Sequence, residues 1–338
     1  MTKVFRLSHA LVWCFVIAFS TFAAVANAHA QYTQTNLVTT SQDPNLANAW
    51  GLAYGVGGPF WVSDEQSGKS TVYDASGTII SEVVSIPAAR GSKGSPSGIV
   101  ANASTGFVIS EGGVSAPASF IFATLDGTIS GWNSSVDPKN AVIAVNNSTT
   151  SSYSGLAIAT VSGTTLLYAA NSAKNQIEIY NNKFKLVKTF TDSSLTGMSV
   201  YGVQTIKGKI FVTFNGAGGA VDIFSPAGTL VKKLTSNPSG GTLNSPWGLA
   251  LAPNNFGVMS NALLVGNVSD GHINAFNAST GALIGPLKDT AGEIIANPGL
   301  WGLQFGGGTG NSGNGNTNQL FLTAGTGGYT TGLFAVIQ

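Results

Sequence analysis

Few side chains in this chain could carry out acid–base or nucleophilic chemistry. Outside the first thirty residues the sequence holds one histidine, His272, one arginine, Arg90, and no cysteine. Zinc sites built from cysteine and histidine, and cysteine–histidine catalysis, need residue types that are therefore missing. A serine–histidine–aspartate triad would have to use His272. The sequence also contains no glycine-flanked serine elbow and no phosphate-binding loop.

Oxygen-bearing side chains end a recurring apolar run and form the first set of candidates. Carboxylate and amide oxygens are ligands for hard cations such as Ca²⁺. Such a set contains only one carboxylate, and the same residue types also cap strands and turns through local hydrogen bonds. The sequence therefore predicts no metal site and no cofactor. The residues that would hold a divalent cation, if one bound, are Asp64, Asn171, Asn215 and Asn267.

A second set of candidates precedes a recurring glycine. The residue is aromatic at four of six such positions, Trp50, Tyr201, Trp247 and Trp301, and small at the other two. Aromatic rings beside an amide-rich opening suit a sugar or a flat ligand, which they would bind by stacking and hydrogen bonding. The alternative is that each ring packs into the core. The sequence leaves both interpretations open.

These candidates occupy equivalent positions in six internal repeats, each about 50 residues long. Each repeat has short apolar runs with period-two alternation, separated by turn residues, and the clearest copy is Ser245–Leu287. Such a pattern predicts a four-stranded antiparallel meander with almost no helix. Six stacked meanders predict an all-β fold, a six-bladed β-propeller. The repeats are aligned on Gly51, Gly98, Gly155, Gly202, Gly248 and Gly302.

The two ends of the chain favour a closed ring. The sixth repeat stops after its third run, at Ile337, whereas Tyr32–Thr39 precedes the first repeat as a spare strand. We expect this strand to complete the last blade, which would leave no free sheet edge at the junction. The alternative, a linear solenoid, would need polar terminal caps.

The N-terminal thirty residues are typical of a signal peptide. Lys3 and Arg6 precede an apolar run that contains Cys14, and small residues follow. We predict cleavage after Ala28 or Ala30, a secreted or periplasmic location, and a single propeller domain over residues 31–338. We also expect a monomer without a transmembrane segment.

The overall charge argues against polyanionic partners. The formal net charge is +1, charged residues make up only 9% of the chain, and no basic run is present. Nucleic acid and anionic membrane surfaces are therefore not expected as partners.

Three segments carry a resemblance to a known family. They are Asn48–Ala53, Phe120–Asn133 and Ser245–Phe276, which read NAWGLA, FIFATLDGTISGWN and SPWGLA…HINAF. The chain resembles a family of secreted, largely bacterial proteins, similar to the NHL-repeat and gluconolactonase-like group. The resemblance implies a six-bladed propeller, and it carries no established activity.

Three functions are compatible with these observations. The leading hypothesis is a non-catalytic secreted propeller that binds a glycan or a surface protein at the mouth of its channel. The first alternative is a divalent-cation-dependent lactonase or hydrolase of the gluconolactonase-like kind, and the second is a structural envelope or matrix protein. The predicted ligand-binding residues are Trp50, Tyr201, Trp247, Trp301, Asp64, Asn171, Asn215 and Asn267.

Overall fold

Six four-stranded antiparallel sheets are arranged as blades around a central channel. The computed structural model describes residues 1–2, 31–91 and 93–338. Residues 3–30 of the predicted signal peptide, which include Cys14, lie outside these residues. The prediction of a six-bladed propeller is confirmed.

The first three blades follow the repeats in chain order. Blade 1 contains Ala49–Tyr54, Phe60–Asp64, Lys69–Tyr73 and Ile79–Ser85. Blade 2 contains Pro96–Ala101, Phe120–Thr124, Thr128–Trp132 and Val142–Asn146. Blade 3 contains Tyr153–Val161, Thr164–Asn171, Gln176–Tyr180 and Leu186–Phe190.

The last three blades continue the pattern, and the ring closes in blade 6. Blade 4 contains Met198–Ile206, Lys209–Gly216, Gly218–Phe224 and Leu230–Pro238. Blade 5 contains Pro246–Leu251, Ala262–Asn267, Ile273–Asn277 and Leu283–Pro286. Blade 6 contains Leu300–Phe305, Leu320–Gly325, Thr331–Ile337 and, as its fourth strand, Gln34–Thr39.

The closing strand pairs antiparallel with the third strand of blade 6, as the sequence predicts. Just before it, Gln31–Tyr32 pairs in parallel with Lys288–Asp289 at the outer edge of blade 5, a contact that the sequence does not predict. The chain start therefore bridges two blades. Within the described residues no helix is long and apolar enough to span a membrane.

Short segments between the strands of blades 2, 5 and 6 add to this plan. Blade 2 carries a hairpin of Val108–Glu111 with Val114–Pro117, and a 3₁₀ turn, Gly257–Met259, lies between the first two strands of blade 5. A single helical turn, Thr326–Tyr329, joins the second and third strands of blade 6.

The hydrophobic core consists of layers between adjacent blades. Each large cluster of buried side chains combines residues of two neighbouring blades, for example Tyr168 of blade 3 with Phe214 of blade 4. The second strands are almost entirely buried, whereas much of the fourth strands is exposed. One sheet is thus sandwiched between two others, which explains why no single repeat could bury both of its faces.

The six glycines on which the repeats are aligned lie at the head of each repeat, and we call them the head glycines. They are required by the close approach of the innermost strands. A Cβ atom on Gly51 would lie 2.5 Å from the carbonyl oxygen of Ser97 in the next blade, and one on Gly98 would overlap the backbone of Leu156. Only glycine allows this contact. The channel is consequently narrow, with a cavity of about 30 Å³ lined by these strands.

Meander geometry gives the ring two distinct faces. On the upper face, first strands begin, second strands end, and the loops between blades run. On the lower face lie the turns that join the first to the second strand and the third to the fourth strand. Both candidate sets from the sequence belong to the upper face.

Candidate functional site at the mouth of the channel

Aromatic side chains close the upper end of the channel. Each one immediately precedes a head glycine, so the start of the innermost strand directs it toward the axis. The indoles of Trp50 and Trp301 stack with their ring centroids 3.5 Å apart and an interplanar angle of 16°. Trp247 meets both of them edge-on, at 6.1 and 6.0 Å, and Tyr201 lies 5.9 Å from Trp301.

The four rings differ in how much of their surface could touch a ligand. Trp50 and Trp301 are 5% and 3% exposed, so their faces are covered by each other and by neighbouring side chains. Tyr201 and Trp247 are half-buried. Of the four predicted aromatic residues, these two have accessible ring surface, and their role in binding stays a prediction.

The three tryptophans also differ in the hydrogen bonds that their indole nitrogens make. Trp247 Nε1 donates to the carbonyl oxygen of Ser154 at 2.8 Å, linking blade 5 to blade 3, and Trp301 Nε1 donates to Asn48 Oδ1 at 3.1 Å. Trp50 Nε1 is buried and has no hydrogen-bond acceptor within the described residues. A buried donor without an acceptor lowers the stability of the fold.

A fifth aromatic residue, Tyr329, reaches the same opening. It lies at the end of the turn between the second and third strands of blade 6, is 44% exposed, and has its ring 6.0 Å from that of Trp301. Burial, and then the proximity of Tyr329, raises the pKa of Tyr201. Sequence reasoning missed this residue, because its position depends on the backbone conformation of the turn and not on the period-two pattern.

The backbone of this turn is unusual. Gly327, Gly328 and Tyr329 have φ angles of 59°, 66° and 68°, in the left-handed region. For a tyrosine this conformation costs roughly 1–2 kcal/mol relative to glycine. The turn therefore holds an aromatic ring beside the channel mouth at a cost in stability, and such strain is concentrated at functional positions in proteins.

The polar set does not form a ring of ligands around the channel. Asn171 is fully buried, and its Nδ2 donates to Ser151 Oγ at 2.9 Å and to Glu178 Oε1 at 2.8 Å. Asn267 is also fully buried and donates to the carbonyl oxygen of Thr242 at 2.9 Å. Ser151 and Thr242 belong to the loops that enter blades 3 and 5.

Asp64 and Asn215 complete this set. Asp64 is fully buried and accepts a 2.8 Å hydrogen bond from Thr71 in its own blade. Asn215 is partly exposed, and its side chain has no hydrogen bond within the part of the chain that the structure describes. No hydrogen bond in this part joins any two of the four residues. Asn171 and Asn267 thus attach a blade to the loop that precedes it.

The protonation state of Asp64 also affects whether this residue could bind a cation. Burial raises the pKa of this carboxyl well above its usual range, although the hydrogen bond from Thr71 opposes the shift. A protonated carboxyl is a poor ligand for Ca²⁺. Across residues 31–91 and 93–338, no three histidine, cysteine, aspartate or glutamate side chains are grouped closely enough to hold a metal ion.

Two further buried carboxylate networks were not evident from the sequence. Glu178 accepts hydrogen bonds from the hydroxyl groups of Tyr153, at 2.9 Å, and Tyr180, at 2.6 Å. Burial opposes ionisation of Glu178, but its hydrogen bonds, of which that from Tyr180 has the largest effect, lower its pKa. In blade 4, burial and the nearby Asp192 raise the pKa of Asp222 to about 7. Third-strand residues that are polar but enclosed by apolar neighbours gave no signal in a period-two pattern.

Asp192 forms an ion pair with a lysine of blade 4. Its Oδ2 lies 3.0 Å from Lys233 Nζ. Burial opposes ionisation of Asp192, but hydrogen bonds from Ser194 and Lys233 lower its pKa to about 2. Asp192 therefore stays charged while Asp222 retains its proton through most of the acidic range. This pair joins the loop entering blade 4 to the blade itself.

The single histidine outside the first thirty residues is not arranged for catalysis. His272 precedes the third strand of blade 5, and its Nδ1 lies 3.8 Å from Asp270 Oδ2, beyond hydrogen-bond distance. Among the described residues no serine hydroxyl is hydrogen-bonded to its ring. The structure therefore does not assemble a serine–histidine–aspartate triad.

Comparison with known proteins gives relatives of two kinds. No protein-family model matches the chain. Protein L690 of Acanthamoeba polyphaga mimivirus is 28% identical over 314 residues, covering 86% of this chain and 82% of its own. Protein R640 of the same virus is 30% identical over 291 residues, and this chain spans about half of it, 53%.

Solved structures similar to this one share its architecture. The PQQ-bound aldose sugar dehydrogenase of Streptomyces coelicolor has a TM-score of 0.56 at 12% identity, covering 91% of this chain and 99% of its own. A streptogramin B lyase has a TM-score of 0.55 at 10% identity, covering 91% and 97%. Such low identities establish the fold alone. The chain is therefore a six-bladed β-propeller protein.

Proposed function

We propose that this protein is an exported propeller that binds a glycan at the upper mouth of its channel without transforming it. The observation that supports this most strongly is the group of partly exposed rings at the mouth, Tyr201, Trp247 and Tyr329. Sugar rings present flat apolar faces that stack on such side chains, and their hydroxyl groups need hydrogen-bond partners. The phenol hydroxyl of the exposed Tyr329 is a polar group at the same opening.

The chemistry of the mouth favours binding over catalysis. Its side chains are phenols and indoles, which are poor general acids and bases near neutral pH. Three of the four residues of the lactonase alternative have structural roles elsewhere, because Asn171 and Asn267 hold interblade loops and Asp64 is enclosed within blade 1. We therefore place binding first and retain no separate hydrolytic proposal.

Export and bacterial origin remain proposals that rest on the sequence. We propose cleavage of a signal peptide after Ala28 or Ala30 and a periplasmic or extracellular location for the propeller. The family resemblance supports a bacterial source, whereas the relatives described above are viral. Mass spectrometry of the protein recovered from its native host would identify the mature N-terminus and test this directly.

A glycan array followed by titration of the best hit tests the binding proposal. Tyr329→Gly removes one ring and at the same time relieves the left-handed strain. We expect affinity to fall roughly tenfold, in line with the loss of one aromatic stacking contact, while the free energy of unfolding stays equal or rises by about 1 kcal/mol. Loss of binding together with unchanged or improved stability cannot arise from misfolding.

Ser162→Gly is a matched control. Ser162 also has a positive φ, 48°, but it lies in a lower-face turn of blade 3. The same relief of strain is expected there with no change in affinity. Equal affinities for wild type and Tyr329→Gly would contradict the proposed site. An array without hits would favour a protein ligand or a structural envelope role instead.

A further inference from the structure

The charges of this protein are segregated around the ring, although their sum is close to zero. Blades 3 and 4, residues 153–238, contain eight lysines and three carboxylates. The rest of the described chain contains five basic and eleven acidic residues. A net charge of +1 therefore conceals one basic side and one acidic side, and it is the local field that determines attraction to a charged partner.

All three carboxylates of the basic side are hidden from solvent. Glu178, Asp192 and Asp222 are 1%, 6% and 1% exposed and belong to the networks between blades and loops described above. At the surface they can therefore neither pair with the exposed lysines nor repel an approaching anion. The exposed surface of blades 3 and 4 consequently carries positive charge only.

Four of the lysines lie together on the lower face. Lys183 and Lys185 belong to the turn between the last two strands of blade 3, and Lys207 and Lys209 flank the turn between the first two strands of blade 4. All four are exposed. None of their ammonium groups has a carboxylate or hydrogen-bond partner within the described residues, and no carboxylate occurs in the lower turns of blades 3, 4 and 5.

Other lysines of these blades already have structural partners. Lys188 donates to the carbonyl oxygen of Ala227 in blade 4, and Lys233 pairs with Asp192. The first contact joins blade 3 to blade 4, and the second joins blade 4 to the loop that enters it. The four lower-face lysines differ because none of them makes such a structural contact within the described residues.

Large aliphatic side chains are exposed at the lower ends of blades 3, 4 and 5. Leu186 follows Lys185 and is 51% exposed, and Leu230 starts the outer strand of blade 4. Val258, in the lower 3₁₀ turn of blade 5, is 57% exposed. A depression of about 240 Å³, lined in part by Lys207, opens beside them on the same face. The face is therefore both cationic and apolar.

We infer that the lower face of blades 3, 4 and 5 docks onto an anionic phospholipid surface. Lysine ammonium groups near such a surface are attracted by its negative potential, and aliphatic side chains at the same level enter the headgroup region. A soluble polyanion would use the lysines but would gain nothing from the exposed leucines and valine. The near absence of arginine also favours a diffuse anionic surface over bidentate recognition of single phosphates.

Vesicle co-sedimentation of the full chain tests this inference. Vesicles of phosphatidylcholine are compared with vesicles that also contain about 30 mol% phosphatidylglycerol. The test variant combines Lys183→Gln, Lys185→Gln, Lys207→Gln and Lys209→Gln. The control variant removes the same charge from the upper side through Lys69→Gln, Arg90→Gln, Lys93→Gln and Lys288→Gln. Residues 1–30 are common to all proteins, so any contribution from them cancels.

We expect wild type and the control variant to bind the anionic vesicles more strongly than the neutral ones. The test variant should lose at least about tenfold in partition coefficient, and wild-type binding should weaken as salt is raised. Val258→Ser should reduce binding several-fold without changing its salt dependence. Circular dichroism and thermal unfolding check that each variant folds, as expected for changes at exposed and half-buried positions.

Equal partitioning of the test and control variants would overturn the inference. So would equal wild-type binding to neutral and anionic vesicles. Binding to a soluble polyanion such as heparin, without binding to the anionic vesicles, would also overturn it and would assign the lysines to a polysaccharide partner.

Discussion

The indole rings of Trp50 and Trp301 stack face to face at the junction between the first and last blades, with their centroids 3.5 Å apart. This contact lies on the channel axis at the seam where the ring closes. The fourth strand of blade 6, Gln34–Thr39, closes the same seam at the outer circumference. Closure is thus secured at both the inner and the outer ends of the blade interface.

Removal of either ring should weaken the seam. We expect Trp50→Ala and Trp301→Ala each to reduce the free energy of unfolding by about 3–5 kcal/mol, because both side chains are buried. A double-mutant cycle measured by denaturant unfolding should give a coupling of about 0.5–1.5 kcal/mol beyond additivity. Strict additivity would show that the stack itself contributes nothing.

The head glycines should not tolerate a methyl group. Gly98→Ala would drive a Cβ into the backbone of Leu156, so we expect a loss of at least about 3 kcal/mol or failure to fold. Gly55→Ala is the control, since its Cβ would meet nothing closer than 3.9 Å. Similar thermal unfolding temperatures for the two variants would contradict the argument that close strand approach fixes these glycines.

The polar residues at the ends of the second strands should divide according to their hydrogen bonds. Asn171→Ala removes four side-chain hydrogen bonds, two donated by Nδ2 and two accepted by Oδ1, and leaves buried partners unsatisfied, so a loss of about 2–3 kcal/mol is expected. Asn215→Ala removes no side-chain hydrogen bond and should change stability by less than about 0.5 kcal/mol. If the two variants were equally stable but both lost ligand binding, the assignment of Asn171 to loop attachment would be wrong.

Stability should fall as the pH rises from about 4 to 7. Folded Asp222 has a pKa of about 7, whereas an unfolded aspartate titrates near 3.9. The folded state therefore keeps a proton that the unfolded state loses in this window, which stabilises the fold most at its acidic end. The pKa of Asp192 is lowered to about 2, so its own contribution is lost only below about pH 4.

Asp222→Asn should reduce this dependence, and what remains should come from Asp64, whose pKa burial also raises. We expect the variant to gain about 2–4 kcal/mol relative to wild type on going from pH 5 to pH 8, as judged by denaturant unfolding. Glu111→Gln, at an exposed hairpin tip, serves as the control and should follow wild type. A parallel pH dependence in wild type and Asp222→Asn would show that another group is responsible.

The sequence was sufficient for the fold because the repeat, the turn residues and the spare N-terminal strand all require the same closed ring. Gly51 and its equivalents marked the innermost strands correctly, and Gln34–Thr39 closes blade 6 as predicted. The pairing of Gln31–Tyr32 with blade 5 was not predictable, because two residues carry no periodic signal.

The site could be predicted only in part. Because Trp50 and Trp301 each precede a head glycine, the sequence indicated that they lie at the mouth. It did not indicate how deeply their stacking would bury them. Tyr329 escaped notice because its place depends on a left-handed turn, not on strand periodicity. Charge segregation was missed for a different reason. A sum over the whole chain cannot show that Glu178, Asp192 and Asp222 are buried while lysines of the same blades are exposed.

The most direct test of ligand binding at the upper mouth is a crystal structure of the protein with the strongest hit from the glycan array. We expect a sugar ring against Tyr201, Trp247 and Tyr329. A ligand bound at any other surface, with these three rings left free, would contradict it.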